Sequence, residues 1–286
     1  MSAEVRYERR GPVALITIDR PERMNAIGPR THRELVAAWS RFLASDESHV
    51  AVLTGAGDRA FSAGGDLKAA FSDHPPVLDD RATGVLGPSR WTGVHKPTIA
   101  AVNGVAYAGG LEWACWTHMA VADAHATFGV TCRRWNIGLA DGGTQRLPRI
   151  VGWRRAMELI VTGRVIDAAT ALEWGLVNEV VPSGTCVERA LELAQTIAAL
   201  PQPALRTDLE AAERGYGRPL AEGLAIEADC FERSLFTGDT EEGLRRFNER
   251  DHPDRRPGGR VATPGLARAR PGSRGSESRP EGAPGG

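Results

Sequence analysis

The chain has 286 residues, of which 42% are hydrophobic and 25% charged, and its net charge is −1. That length suffices for one large domain or two small ones with a sizeable core, and the balanced charge excludes a basic surface that recruits nucleic acid or an anionic membrane. Cys115, Cys132, Cys186 and Cys230 lie far apart, without a CxxC pair or Cys/His ligand spacing, which argues against a metal site or a disulfide framework.

In chain order, the β-rich run 13–18 ends before Pro21 and predicts a strand. Thr31 reads as the cap of a helix over 31–44, with Leu35, Val36, Trp39, Phe42 and Leu43 on one face. The apolar runs 50–54 and 98–102, closed by Gly55/Gly57 and Asn103-Gly104, read as buried strands, and 120–122 and 177–181 as two more. Residues 77–91 carry Pro and Gly without periodicity and read as a loop. Helical patterns occupy 109–116, 153–162 and 168–174, and this alternation predicts a largely parallel α/β sheet. After Pro182 the pattern turns helical over 187–200, 204–216, 219–236 and 240–249. The chain thus divides into a core over 1–182, a helical region over 183–252 and a Pro/Gly/Arg-rich tail over 253–286, expected to be disordered. No internal repeat is visible. The N-terminus lacks the apolar run of a signal peptide and no stretch reaches membrane-spanning length, so a cytoplasmic protein is expected.

Two glycine turns follow predicted strands: Ala60-Phe61-Ser62-Ala63-Gly64-Gly65-Asp66-Leu67 and Asn103-Gly104-Val105-Ala106-Tyr107-Ala108-Gly109-Gly110-Leu111-Glu112. Neither has the spacing of a phosphate loop. Glycine lets a backbone approach a ligand or another backbone closely. The second turn opens a helix, whose first N–H groups lack intrahelical partners and suit a developing oxyanion. One N–H from each turn would form an oxyanion hole.

With the motifs Arg20-Pro21-Glu22-Arg23-Met24-Asn25-Ala26, Lys96-Pro97-Thr98, Asp141-Gly142-Gly143-Thr144-Gln145-Arg146-Leu147 and Trp174-Gly175-Leu176-Val177-Asn178-Glu179, the two turns carry a resemblance. From about Val5 to Pro253 the chain resembles the crotonase superfamily, the enoyl-CoA hydratase/isomerase group. The resemblance implies a crotonase (ClpP/crotonase-like) spiral of ββα repeats with a C-terminal helical region, an acyl-CoA substrate, no metal or added cofactor, and a homotrimer or dimer of trimers. It places the oxyanion donors at the backbone N–H groups of Ala63 and Gly109. It places the CoA-binding edge at Asn25, Ala26, Ala63, Gly64, Gly65, Asp66, Leu67 and Gly110.

In hydratases of this family two glutamates face one water, and Glu112 matches the first. The second normally stands four residues after Phe128, where this chain has Cys132. A thiol is shorter and ionises near ~8.5, and Cys132 reads as a buried structural cysteine. Asp141 has two readings: a base or water-holding acid beside Glu112, or a cap for the helix that follows. Arg133 and Arg134 are available to pair with either acid or to anchor a trimer interface, and read by default as solvated. His95, His118 and His125, with Trp113, Trp116 and Trp135, read as structural. The resemblance points to enoyl-CoA hydratase, a lyase of fatty acid metabolism, with Glu112 and Asp141 as catalytic residues. The alternatives are a one-carboxylate isomerase, thioester hydrolase or carbon–carbon lyase and, in another class, a non-catalytic acyl-CoA-binding protein.

Overall fold

A computed structural model describes residues 3–70, 82–235 and 238–249. The expected disordered tail, and residues 77–81 of the loop, lie outside the described residues. The chain forms one unit over residues 1–243 and a second over 244–286. In chain order the elements are β1 (Val5–Arg10), β2 (Val13–Ile18), α1 (Pro29–Ala44), β3 (Val50–Gly55), β4 (Ala60–Ser62), α2 (Leu67–Ala70), β5 (Thr98–Val102), β6 (Val105–Tyr107), α3 (Gly109–Trp116), β7 (Met119–Asp123), β8 (Thr127–Gly129), α4 (Gly143–Val151), α5 (Trp153–Thr162), β9 (Val165–Asp167), α6 (Ala168–Glu173), β10 (Glu179–Val181), α7 (Cys186–Ala198), α8 (Gln202–Gly215), α9 (Leu220–Leu235) and α10 (Gly238–Glu249).

The strands form a six-stranded sheet, β1-β2-β3-β5-β7-β10, and a four-stranded sheet, β4-β6-β8-β9. All neighbours in the first are parallel except β1 and β2, and in the second except β8 and β9. Three successive turns, β3-β4-α2, β5-β6-α3 and β7-β8-α4, each give one strand to each sheet and then a helix. This is a ββα spiral, repeated in structure although no repeat is visible in the sequence.

The inner strands β2, β3, β5 and β7 of the larger sheet are buried on both faces, as their continuous apolar runs require. Successive side chains point to opposite faces. Val13, Leu15, Val50 and Val52 therefore pack with Cys186, Ala190 and Ala194 of α7, while Ile16, Ile18 and Leu53 pack with Leu35, Trp39 and Phe42 of α1. The α1 helix begins earlier than Thr31: Gly28 caps it, Pro29 supplies a preset φ at the first position, and Thr31 Oγ1 accepts from the Gly28 N–H at 3.3 Å. Lys96 closes its other end by donating from Nζ to the carbonyls of Phe42, Leu43 and Ser45.

Three tryptophans fix α3 against α1. Trp39 stacks on Trp113 at 5.9 Å, and Trp116 meets Trp39 and Trp113 edge-on at 4.7 and 5.1 Å. Consecutive helical residues diverge by about 100°, so seating Trp113 in the core turns Glu112 away from α1.

Asn103 ties the ends of the parallel strands to the first glycine turn. Its Nδ2 donates to the carbonyls of Gly55 (2.8 Å) and Gly57 (2.7 Å), and its Oδ1 accepts from the Gly55 N–H at 3.2 Å. Substituting Asn103→Ala leaves these buried groups unpaired, and we expect a loss of about 2–4 kcal/mol, read as a lower urea midpoint.

Candidate active site

The two glycine turns meet where the end of β4 reaches the start of α3. A Cβ on Gly64 would lie 2.7 Å from the Gly109 nitrogen, and one on Gly110 would lie 2.0 Å from the Ser62 carbonyl oxygen. Backbone is the obstacle in both cases, so no side-chain movement relieves it. Gly110 therefore serves this close approach. Ala108, just before α3, holds φ at +49°, a conformation that side chains rarely adopt.

The backbone bonds separate the candidate donors. The Ala63 N–H donates to the Met24 carbonyl at 2.9 Å, the Gly64 N–H to Ser62 Oγ at 3.1 Å, and the Asp66 N–H to the Ile27 carbonyl at 2.9 Å. Among the described residues, the N–H groups of Gly65 and Gly109 have no acceptor. The expectation of an Ala63 donor is thus corrected: its N–H is committed to the 20–27 turn, and Gly65 supplies the free donor beside Gly109. The Leu86 side chain covers this pair, with one methyl 2.0 Å from where a Gly109 Cβ would stand and the other 3.5 Å from that of Gly65.

Asn25 does not face a groove. It is fully buried; Nδ2 donates to the carbonyls of Ala56 (2.9 Å) and Ala60 (2.7 Å), and Oδ1 accepts from the Arg20 N–H at 3.0 Å. Asp66 pairs through Oδ2 with Arg20 at 2.9 Å and accepts from the Ala69 N–H through Oδ1, leaving Leu67 as the exposed residue of this edge. Ala26 is buried, and its carbonyl accepts from Arg20.

Glu112 is 2% exposed. Its Oε1 accepts two backbone N–H bonds of 2.8 Å, from Asp141 and Gly143; the Ala140 N–H also bears on the carboxyl, and no hydrogen bond of normal geometry reaches Oε2 among the described residues. Burial, and then the charge of Asp141, push its pKa up from 4.5 to about 7. One carboxyl oxygen is thus fixed and the other open, on a group that can give or take a proton near neutral pH.

Asp141 departs from both of its expected roles. It meets Glu112 through its backbone N–H, not its carboxylate. Its Oδ1 accepts from the N–H groups of Val85 (2.8 Å) and Leu86 (3.1 Å) and from the Ser89 hydroxyl. It caps no helix, since α4 begins at Gly143 with Gly142 as its cap and no side-chain cap bond. That oxygen is taken up by three donors of the Val85–Ser89 segment rather than turned toward the Glu112 carboxyl. Cys132, in a 3-10 turn over Thr131–Trp135, is buried, and burial together with the nearby charge of Glu112 pushes its thiol up. It is a neutral group beside the acid, not a second acid.

Arg133 donates to the Ile160 carbonyl, away from both acids. The arginine that sequence reasoning missed is Arg146, which donates to the carbonyls of Ser89 (2.7 Å) and Asp141 (3.0 Å). His118 Nδ1 accepts from the Thr98 N–H, and His125 bridges Ser183 and the Asp58 carbonyl. Trp113 Nε1 donates to the Leu86 carbonyl at 2.8 Å, whereas Trp135 is exposed. A cavity of about 1080 Å³ lies beyond the Ala140–Gly142 turn, lined by Trp116, His118, Arg146 and Tyr216, and neither Glu112 nor the free N–H pair lines it. Among the described residues no cluster of three or more His, Cys, Asp and Glu side chains could hold a metal ion, and no helix is long and apolar enough to cross a membrane.

The raised pKa of Glu112 carries a stability consequence. A carboxyl whose folded pKa exceeds its unfolded value contributes fully below about 4.5, and that contribution is lost as pH rises through about 7. The loss is on the order of 3 kcal/mol. Glu112→Gln removes the titration, so between pH 4.5 and 8.5 the variant should gain stability relative to wild type by that order, measured by urea unfolding at both pH values.

The sequence pattern of the enoyl-CoA hydratase/isomerase family matches residues 8–256. The chain is 36% identical over 261 residues to the carnitinyl-CoA dehydratase of Citrobacter koseri, covering 88% of this chain and 98% of that one. It is 37% identical over 253 residues to the enoyl-CoA hydratase EchA19 of Mycobacterium tuberculosis, covering 86% and 94%. The crystal structure of the enoyl-CoA hydratase of Bacillus anthracis superposes with a TM-score of 0.80 at 34% identity, over 86% of this chain and 96% of that one. With the spiral fold and the paired glycine turns, these likenesses establish that the chain belongs to the enoyl-CoA hydratase/isomerase family, within the crotonase superfamily.

Proposed function

We propose that this enzyme adds water to the double bond of 2-enoyl-CoA thioesters and catalyses the reverse elimination. The observation that supports this best is one open carboxyl oxygen with a pKa near 7, on the helix whose first N–H stands free beside that of Gly65. The Gly65 and Gly109 N–H groups would receive the thioester oxygen as it gains charge. Water attacks C3, the π electrons move to the thioester oxygen, and the Glu112 carboxylate takes the proton of the attacking water. Glu112 then returns this proton to C2 as the enolate collapses to the thioester. In elimination the same group removes the C2 proton and protonates the leaving hydroxyl. One carboxyl with a pKa near the working pH serves both directions. Among the relatives, one is named a dehydratase and another a hydratase, the two directions of this chemistry.

The chemistry requires no added cofactor, because backbone N–H groups polarise the thioester. CoA would lie along Ala26, Gly64, Gly65, Asp66 and Leu67, with Ala63 behind them. The enzyme would act in fatty acid metabolism in the cytoplasm, consistent with four free buried cysteines. It would assemble as a trimer or a dimer of trimers, consistent with the exposed Trp135, Trp153 and Val161 and with Leu220, Leu224 and Phe231 on α9.

Double-bond isomerisation is the second reading, favoured by Cys132 at the position where the resemblance places the second glutamate. The two are separated by following crotonyl-CoA hydration and the double-bond position of longer enoyl-CoAs. Glu112→Gln should lower hydration by about 10²–10⁴-fold, and Cys132→Glu should raise it by about 10-fold or more by adding the second acid. Migration of the double bond without water addition by wild type would replace the hydratase reading with the isomerase one.

A further inference from the structure

Asp141 is engaged twice at the site, through two different groups. Its N–H donates to Glu112 Oε1 at 2.8 Å. Its Oδ1 accepts from Val85, Leu86 and Ser89, some fifty residues earlier in the chain. Gly84 has no room for a side chain there: a Cβ would lie 2.8 Å from Asp141 Oδ1, and its φ is +107°. Farther along the same segment, the Leu86 carbonyl accepts from Trp113 Nε1 (2.8 Å) and the Gly87 N–H donates to His32 Nδ1 (2.9 Å). The segment therefore follows the same α1–α3 packing that orients Glu112. What it presents to the site is Leu86, whose two methyls lie against Gly109 and Gly65.

We propose that Asp141 is a positioning residue: its carboxylate holds the Val85–Ser89 segment so that Leu86 forms the acyl-facing wall over the Gly65 and Gly109 N–H pair, while its backbone N–H orients Glu112. This rests on the reading of that N–H pair as the thioester site. Asp141 also sets the charge around Glu112. The groups facing Glu112 are Cys115 on α3, Cys132 on the 131–135 turn, Arg146 on α4 and Asp141 itself, with Glu213 of α8 bearing on Arg146. Burial pushes the Cys115 thiol up to about 12 and raises that of Cys132, so both are neutral at pH 7. Arg146 is positive and opposes Asp141, but its hydrogen bonds go to carbonyls rather than to either carboxylate. Asp141 is the anionic neighbour that raises Glu112. A residue that shapes the acyl wall and tunes the acid links recognition to chemistry without touching the reacting atoms.

The test uses three variants of the full chain. Asp141→Asn keeps an oxygen acceptor for the segment and removes the charge. Asp141→Ala removes both, and Ser89→Ala loosens the segment while leaving the charge. The titration of Glu112 is followed without ligand by infrared difference spectroscopy against Glu112→Gln, and affinity is measured with butyryl-CoA, a saturated thioester that cannot be hydrated. In Asp141→Asn the Glu112 midpoint should fall by about one pH unit with butyryl-CoA affinity retained within about twofold. In Asp141→Ala and Ser89→Ala the affinity should weaken by about 10-fold, with the midpoint unmoved in Ser89→Ala. An unmoved midpoint in Asp141→Asn removes the tuning of Glu112 from the proposal, and unchanged butyryl-CoA affinity in both Asp141→Ala and Ser89→Ala overturns it. So does a loss of crotonyl-CoA hydration in Asp141→Asn as deep as in Glu112→Gln, which would make Asp141 a base. If wild type binds butyryl-CoA but hydrates no enoyl-CoA while the midpoint and affinity shifts appear, the hydratase reading fails and the positioning role stands.

Discussion

Two stretches of backbone come closer than any side chain would allow, and the site depends on that contact. Gly64 lies against the Gly109 nitrogen and Gly110 against the Ser62 carbonyl. The approach brings a strand end and a helix start together, so two N–H groups that regular structure leaves unsatisfied stand next to each other. An unpaired donor is costly inside a protein. Here the cost supports function, because a ligand oxygen can satisfy both donors at once. The strained φ of Ala108 belongs to the same arrangement.

Glu112 reaches this point because its neighbour is a tryptophan with only one place to go. Trp113 stacks into the α1–α3 core, and the helical turn then directs Glu112 to the Asp141–Gly143 backbone. Two N–H bonds to one oxygen would lower the pKa of an exposed carboxylate. Here burial and the charge of Asp141 outweigh them, leaving the group near 7. The same packing positions Leu86, through Trp113 Nε1. Core packing, acid and acyl wall thus share one set of aromatic contacts.

The larger sheet and most helices were legible in the sequence, because β2, β3 and β5 are unbroken apolar runs and α1 has a clear amphipathic period. The second sheet was not legible. Its strands have three residues each, too few for alternation to register, and each pairs with a partner one spiral turn away. The glycine turns announced an oxyanion hole, but the choice of donor depended on the Met24–Ala63 bond, which comes from a different segment. Glu112 was legible from its place one turn into a helix opened by glycines. The role of Asp141 was not, because its partners sit in a Pro/Gly-rich loop without periodicity. Arg146 likewise bonds only to carbonyls, and such bonds leave no pattern in the residues around it.

The central claim is that Glu112 alone moves the proton, from a pKa raised by burial and by Asp141. The pH dependence of kcat/KM for crotonyl-CoA hydration tests it most directly, because that profile reports the ionisation of the free enzyme. Water addition needs the carboxylate, so kcat/KM should rise with pH through a midpoint at about 7 and then level off. A profile already flat above pH 5.5 would mean that Glu112 keeps an ordinary carboxyl pKa or that another group moves the proton, and would contradict the account.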